Sequence, residues 1–176
     1  PPQPEPGYRE DFSGATIGQE PPGSFVLDGD YTVAEREGNN VLKLAGQPLG
    51  DFGVLFGPRV DTGYRVSARV FAEAKGRRLP MFGLGAEGQR GYRLRVAAGA
   101  RELQLLKFGQ PVATAPYRWQ PGVWATLELQ AFEQNGTAYL HGTVRQDENH
   151  RAVVRYEDSD PPSTGQFSVW GQAFTG

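Results

Sequence analysis

The chain has 176 residues, 18 basic and 20 acidic side chains for a net charge of −2, and no cysteine. That length suits one domain with a two-layer core. The charge balance offers no broad field for nucleic acid or an anionic membrane, and the missing thiols exclude a disulfide framework, a thiolate zinc site and a cysteine nucleophile. The 24 Gly and 14 Pro are scattered between short apolar alternations, the pattern of strands separated by turns. No apolar run approaches the roughly 20 residues that span a bilayer, and no signal-peptide pattern stands at the start.

In chain order, Pro-Pro-Gln-Pro-Glu-Pro opens an extended linker over residues 1–7, so a single domain is expected over residues 8–176, with something upstream removed. A first strand is expected at residues 8–12. Pro21-Pro22-Gly23 marks a loop, and strands at 25–27 and 31–34 flank the turn Asp28-Gly29-Asp30. Another follows Gly38-Asn39-Asn40 at 41–45, and one at 52–56 ends at Gly57-Pro58. Residues 64–74 alternate, with Tyr64, Val66, Ala68, Val70 and Ala72 on one face and Arg65, Ser67, Arg69 and Glu73 on the other. Strands at 81–84 and 92–96 are separated by a Gly-rich loop, with Arg93 and Arg95 opposite Tyr92, Leu94 and Val96. Residues 103–108 pair with 112–115 around Gly109-Gln110-Pro111.

The hairpin at residues 124–145 organises the rest. Asn135-Gly136 supplies the positive φ angles of a two-residue type I′ turn between alternating runs. Gln134 then faces Thr137, and the register pairs Ala131 with Leu140, Leu129 with Gly142 and Leu127 with Val144 on an apolar face. The opposite face pairs Phe132 with Tyr139, Gln130 with His141, Glu128 with Thr143 and Thr126 with Arg145. Further strands are expected at 152–156 and 167–174, with a turn-rich loop at 158–165. About a dozen short strands at this spacing imply an all-β sandwich or barrel.

Taken together, Glu10-Asp11-Phe12 before Pro21-Pro22-Gly23, Asp30-Tyr31-Thr32-Val33 with Val41-Leu42, Trp124 with Leu127 and Leu129, and Gly165-Gln166-Phe167-Ser168-Val169-Trp170 carry a resemblance. Over residues 8–176 the chain resembles the concanavalin A-like lectin/glucanase superfamily, specifically the laminin-G-like jelly-roll domains of bacterial extracytoplasmic proteins. The resemblance implies an all-β, two-sheet antiparallel jelly-roll sandwich in an extracytoplasmic setting. It also implies a closing aromatic-Asp-Asp strand that would fall after Gly176 and that this sequence lacks, leaving a bare edge near residues 8–12 open to a partner. Glycoside hydrolases of this fold carry Glu-x-Asp-x-x-Glu, and no such run occurs here.

Three functions compete. The first is a non-catalytic recognition domain binding polysaccharide on a concave sheet, with Trp124, Tyr139 and Trp170 as stacking faces and Glu128, Gln130, His141 and Arg145 bonding hydroxyls. The second is an accessory subunit docking to partner proteins; the third and least favoured is a sugar-cleaving enzyme. For each candidate a plainer role competes: core packing for the aromatics, a surface ion pair with Arg145 for Glu128, a polar cross-strand neighbour for His141. Arg65, Arg69, Arg93 and Arg95, with Arg77, Arg78 and Arg90 in loops, read as solvated faces before they read as a site for acidic polysaccharide. No cofactor is expected. Asp28-Gly29-Asp30 and Asp158-Ser159-Asp160 hold oxygen donors for calcium, but neither follows an EF-hand loop and turn chemistry accounts for both. Gly83-x-Gly85-x-x-Gly88 reads as a loop, because no helix follows it to hold a dinucleotide. Asn135-Gly136-Thr137 fits a glycosylation acceptor, and its turn role already explains it.

Overall fold

The computed structural model describes the chain outside residues 1–6, 47–49, 61–62, 87–90, 163–164 and 173–176. Most of the expected linker, Gly88, Arg90 and the end of the strand expected at 167–174 therefore lie outside the described residues. Thirteen strands make up the regular structure: β1 Phe25–Asp28, β2 Tyr31–Arg36, β3 Asn39–Leu44, β4 Phe52–Val60, β5 Tyr64–Val70, β6 Met81–Ala86 and β7 Tyr92–Ala97. They continue with β8 Glu102–Lys107, β9 Gln110–Pro116, β10 Ala125–Gln134, β11 Thr137–Arg145, β12 Arg151–Asp158 and β13 Gly165–Gln172. Among the described residues there is no helix, and so none long and apolar enough to cross a membrane.

The strands form a large seven-stranded sheet in the order β1-β4-β13-β6-β7-β8-β9, a small four-stranded sheet β12-β11-β10-β5, and the separate hairpin β2-β3, with antiparallel pairing throughout. This is an all-β jelly-roll sandwich. The β10-β11 register matches the expected one at every pair from Thr126↔Arg145 to Gln134↔Thr137, and Asn135 and Gly136 take φ of 54° and 76°. Two turns sit one residue earlier than expected, at Glu37-Gly38 (φ 52° and 77°) and Phe108-Gly109 (φ 50° and 77°). In each, glycine takes the second left-handed position and a non-glycine residue tolerates the first, so the flanking strands close on a two-residue loop.

Residues 8–12 do not form a strand. The Glu10 and Asp11 carboxylates accept the backbone N–H groups of Phe12 at 2.6 Å and Ser13 at 3.0 Å, local bonds that compete with a ladder. Phe12 instead packs edge-on against Phe56 at 5.9 Å, and its carbonyl accepts from Asn40 Nδ2 at 2.9 Å. The bare edge expected there does not exist in that form: β1 is the edge of the large sheet, and β13 lies inside it between β4 and β6.

Two apolar clusters fill one face of the large sheet. Leu127, Leu129, Leu140 and Val144 from the small sheet pack against Leu84, Leu94, Val96, Leu103 and Leu105, and Leu127 and Leu129 are fully buried. Nearer β4, Tyr31 of the β2-β3 hairpin joins Phe52, Val54 and Phe56, with Leu42 and Leu44 alongside. The Tyr31 hydroxyl donates to the Phe52 carbonyl at 2.8 Å, and burial pushes its phenol well above the ordinary range. The hairpin is also joined to the small sheet from outside: the Arg36 guanidinium lies 3.5 Å from the Phe71 ring centroid, and Phe71 meets Trp124 at 5.5 Å.

The sandwich holds one buried charge cluster at the β8-β12 end. The Asp158 carboxylate accepts from the Tyr92 hydroxyl at 2.5 Å and from Lys107 Nζ at 2.7 Å, and the Asp160 N–H bonds it at 3.0 Å. Burial opposes its ionisation, but the Lys107 and Tyr92 bonds outweigh that and hold it below the usual carboxylate range. Lys107 Nζ also donates to the Asp160 carbonyl at 2.5 Å, so the ammonium is bonded to both ends of the Asp158-Ser159-Asp160 turn. At Asp28-Gly29-Asp30 the Asp28 carboxylate accepts the Gly29 N–H at 2.8 Å, an ordinary turn bond.

Candidate functional site

Alternation sends the other half of each strand's side chains to the two outer faces, and the expected site residues divide between them. Glu128, Gln130, Tyr139, His141 and Arg145 lie on the outer face of the small sheet, with Trp124 at its end, while Trp170 stands on β13 in the large sheet. The seven residues therefore do not form one site.

On the small sheet, pairing builds cross-strand rows. One runs Arg151, Arg145, Thr126, Arg69; the next Val153, Thr143, Glu128, Ser67; the third Arg155, His141, Gln130, Arg65. Glu128 accepts from Gln130 Nε2 at 2.5 Å and stands 3.8 Å from Arg65, not paired to Arg145 as expected. Arg145 pairs instead with Glu148 at 3.2 Å. Glu128's cross-strand neighbours are Thr143 and Ser67, neither of them a carboxylate. Phe132 and Tyr139 stack at 5.1 Å with planes 13° apart, and Phe132 is 56% exposed. Trp124 is half-buried against Phe71, with the Arg69 guanidinium 5.0 Å from its ring.

The large sheet's outer face is constructed differently. Gly83, inside the strand expected at 81–84, and Gly85, expected in the loop after it, both belong to β6 and leave its outer side bare beside Trp170 and Ser168 of β13 and Arg95 and Arg93 of β7. Across that glycine gap Arg93 reaches Trp170, its guanidinium carbon 3.3 Å from the ring centroid, and pairs with Asp51 at 2.7 Å. The Arg93 side chain is only 17% exposed. The indole lies over Gly53, where any side chain would collide with it, and its Nε1–H donates to the fully buried Ser168 hydroxyl at 2.7 Å. A Cβ on Gly85 would come within 2.6 Å of that hydroxyl. Beyond the gap, Arg95 donates through Nε and an Nη to Gln104 Oε1 at 3.1 and 2.7 Å, and Gln104 Nε2 donates to Glu102 at 2.8 Å. Burial draws the Arg95 guanidinium below its ordinary range, Asp51 opposes this, and the neighbouring Arg93 charge reinforces it.

These groups surround a shallow depression with a cavity volume of about 20 Å³, lined by Asp51, Met81, Gly83, Arg93, Arg95, Leu106, Trp170 and Gln172. That is room for little more than a water molecule, so a ligand would lie across the depression and not inside it. Its lining offers a guanidinium held between an indole and a carboxylate, a second guanidinium tied to an amide, and the side-chain amide of Gln172. Such an arrangement presents preset donors and an acceptor to a polyhydroxylated ring. Trp170 serves it by holding Arg93, because the sheet and the guanidinium both lie against the indole. Of the expected site residues only Trp170 belongs here; Asp51, Gln104 and Gln172 were not singled out, and Arg93 and Arg95 were read as solvated faces. No group of three or more His, Asp or Glu side chains gathers as a metal site among the described residues.

No family model matches the sequence, and no curated protein does. Among solved structures the chain is similar to a carbohydrate binding module, CBM66 from Bacillus subtilis, with a TM-score of 0.56 at 16% identity over 84% of this chain and 86% of that one. At that identity the likeness establishes the sandwich fold.

Proposed function

We propose that this domain is a non-catalytic glycan-binding module, placed outside the cytoplasm, whose site is the depression on the outer face of the large sheet. The observation that carries it is the Asp51–Arg93–Trp170 assembly over the Gly83 and Gly85 gap: a mostly buried arginine held between an indole and a carboxylate beside an open depression. Maintaining a charged group there costs desolvation, and the stack and ion pair offset it. A saccharide suits the hollow because its hydroxyls both donate and accept, matching Arg93, Arg95, Asp51 and Gln172. The similarity to a carbohydrate binding module supports the same reading. Calorimetric titration with a panel of neutral and acidic oligosaccharides tests it. At least one sugar should bind the native chain and fail to bind the Arg93→Ala variant; a panel with no binder, or one in which every binder is indifferent to Arg93, contradicts the reading.

A further inference from the structure

The outer face of the small sheet differs in chemistry from the depression. Arg155, His141, Gln130 and Arg65 form one continuous row across β12, β11, β10 and β5. Adjacent members stand about 4.8 Å apart in the direction across the strands, so the row spans about 14 Å from Arg155 to Arg65. Both arginines are exposed, Arg65 to 68% of its side chain, and Arg65's only carboxylate contact among the described residues is the loose 3.8 Å one to Glu128. Directly beside this row lies the Phe132–Tyr139 stack, whose Phe132 ring turns 56% of its surface to solvent. A domain of net charge −2 has no general attraction for polyanions, so the positive row is a local feature.

We propose that this face binds an acidic polysaccharide, with uronate carboxylates on the Arg65 and Arg155 forks and sugar C–H faces against Phe132 and Tyr139. Planar carboxylates match the guanidinium fork, and the aromatic pair gives each ring an apolar contact that a bare phosphate backbone would not use. Glu128 and Glu157 on the same face disfavour the denser charge of a nucleic acid while leaving room for one carboxylate per sugar. The surface is independent of the Arg93 depression, which lies on the opposite side of the sandwich.

Native gel electrophoresis in gels containing polygalacturonate, its methyl-esterified form or duplex DNA tests this, using the native chain and the Arg93→Ala and Trp170→Phe variants, which silence the other site. The free-acid polymer should retard all three equally, and salt should weaken the retardation. In the Arg65→Gln/Arg155→Gln double variant and in Phe132→Ala the retardation should fall by about tenfold, the size expected for lost charge-assisted bonds and a lost stacking surface. These positions are exposed, so near-ultraviolet circular dichroism should stay native. Four results would overturn the proposal: no retardation by the free acid, equal retardation by the esterified polymer in the Arg93→Ala background, indifference to the double variant, or DNA matching polygalacturonate.

Discussion

The two outer faces of this sandwich hold similar residue types and use them in opposite ways. On the small sheet, Arg65 and Arg145 extend into solvent at 68% and 65% exposure, and their carboxylate contacts at 3.8 and 3.2 Å are of the kind worth little. On the large sheet, Arg93 is pulled down across two glycines to 17% exposure, and it gains an aromatic face and a 2.7 Å carboxylate together. An arginine becomes preorganised when neighbours remove its freedom; here Trp170 and Asp51 hold Arg93, and the two glycines leave it the room to reach them. A solvated arginine pays ordering entropy at the moment of binding, whereas Arg93 has paid it on folding.

The largest expected effects come from breaking the shared core or the clamp. Leu129→Ala should destabilise the whole domain by about 2 to 5 kcal/mol in urea unfolding, because Leu129 is fully buried between the sheets. Arg93→Ala should weaken sugar binding by about thirtyfold or more, the loss typical of removing one partner of a desolvated charge pair, and should leave the small-sheet face unaffected. Gly53→Ala sharpens the comparison without touching a polar group: the new methyl evicts the Trp170 indole. Binding on the large sheet should fall toward the Arg93→Ala value, with the shift visible in tryptophan fluorescence.

Titration produces smaller changes. Asp158 is held below the usual carboxylate range, so its contribution to stability is present above about pH 4 and is lost as pH falls through its folded-state value. Tyr31 and Tyr117 are raised, Tyr117 to about 12 by burial and then by the Asp147 charge. Their contribution is complete below about pH 10 and declines as the unfolded phenols ionise above it. Thermal melts from pH 2 to 12 should therefore show a plateau falling at both ends, and Asp158→Asn should flatten the acidic limb. The smallest effect is Phe132→Ala, which should change stability by no more than about 0.5 kcal/mol, because an exposed side chain contributes little to folding.

How much of this was legible from the sequence depended on whether the cue was local. The β10-β11 register could be read completely, since Asn-Gly and strict alternation sit within one stretch. Glu37-Gly38 and Phe108-Gly109 form the same kind of turn with only half of that signal, and each was placed one residue late. The Arg93 site could not be assembled by alternation along single strands. Asp51, Gly83, Arg93 and Trp170 meet because β4, β13, β6 and β7 are neighbours in space, an order that jumps across the chain. One trace was available: Gly83-x-Gly85 and Arg93-x-Arg95 both alternate on successive strands, which sets long side chains against bare backbone across a hairpin. Placing Trp170 with the hairpin residues failed for the same reason, because sequence shows what a strand presents but not which sheet it joins.

The most direct test of the account is amide and side-chain NMR mapping of the domain while a neutral oligosaccharide that binds it is added. The account predicts shifts at the Trp170 indole N–H, the Arg93 and Arg95 guanidinium signals and the Gln172 amide, with Gln130, Phe132, Tyr139 and His141 unmoved. Shifts centred on those small-sheet residues, with Arg93 and Trp170 silent, would contradict it.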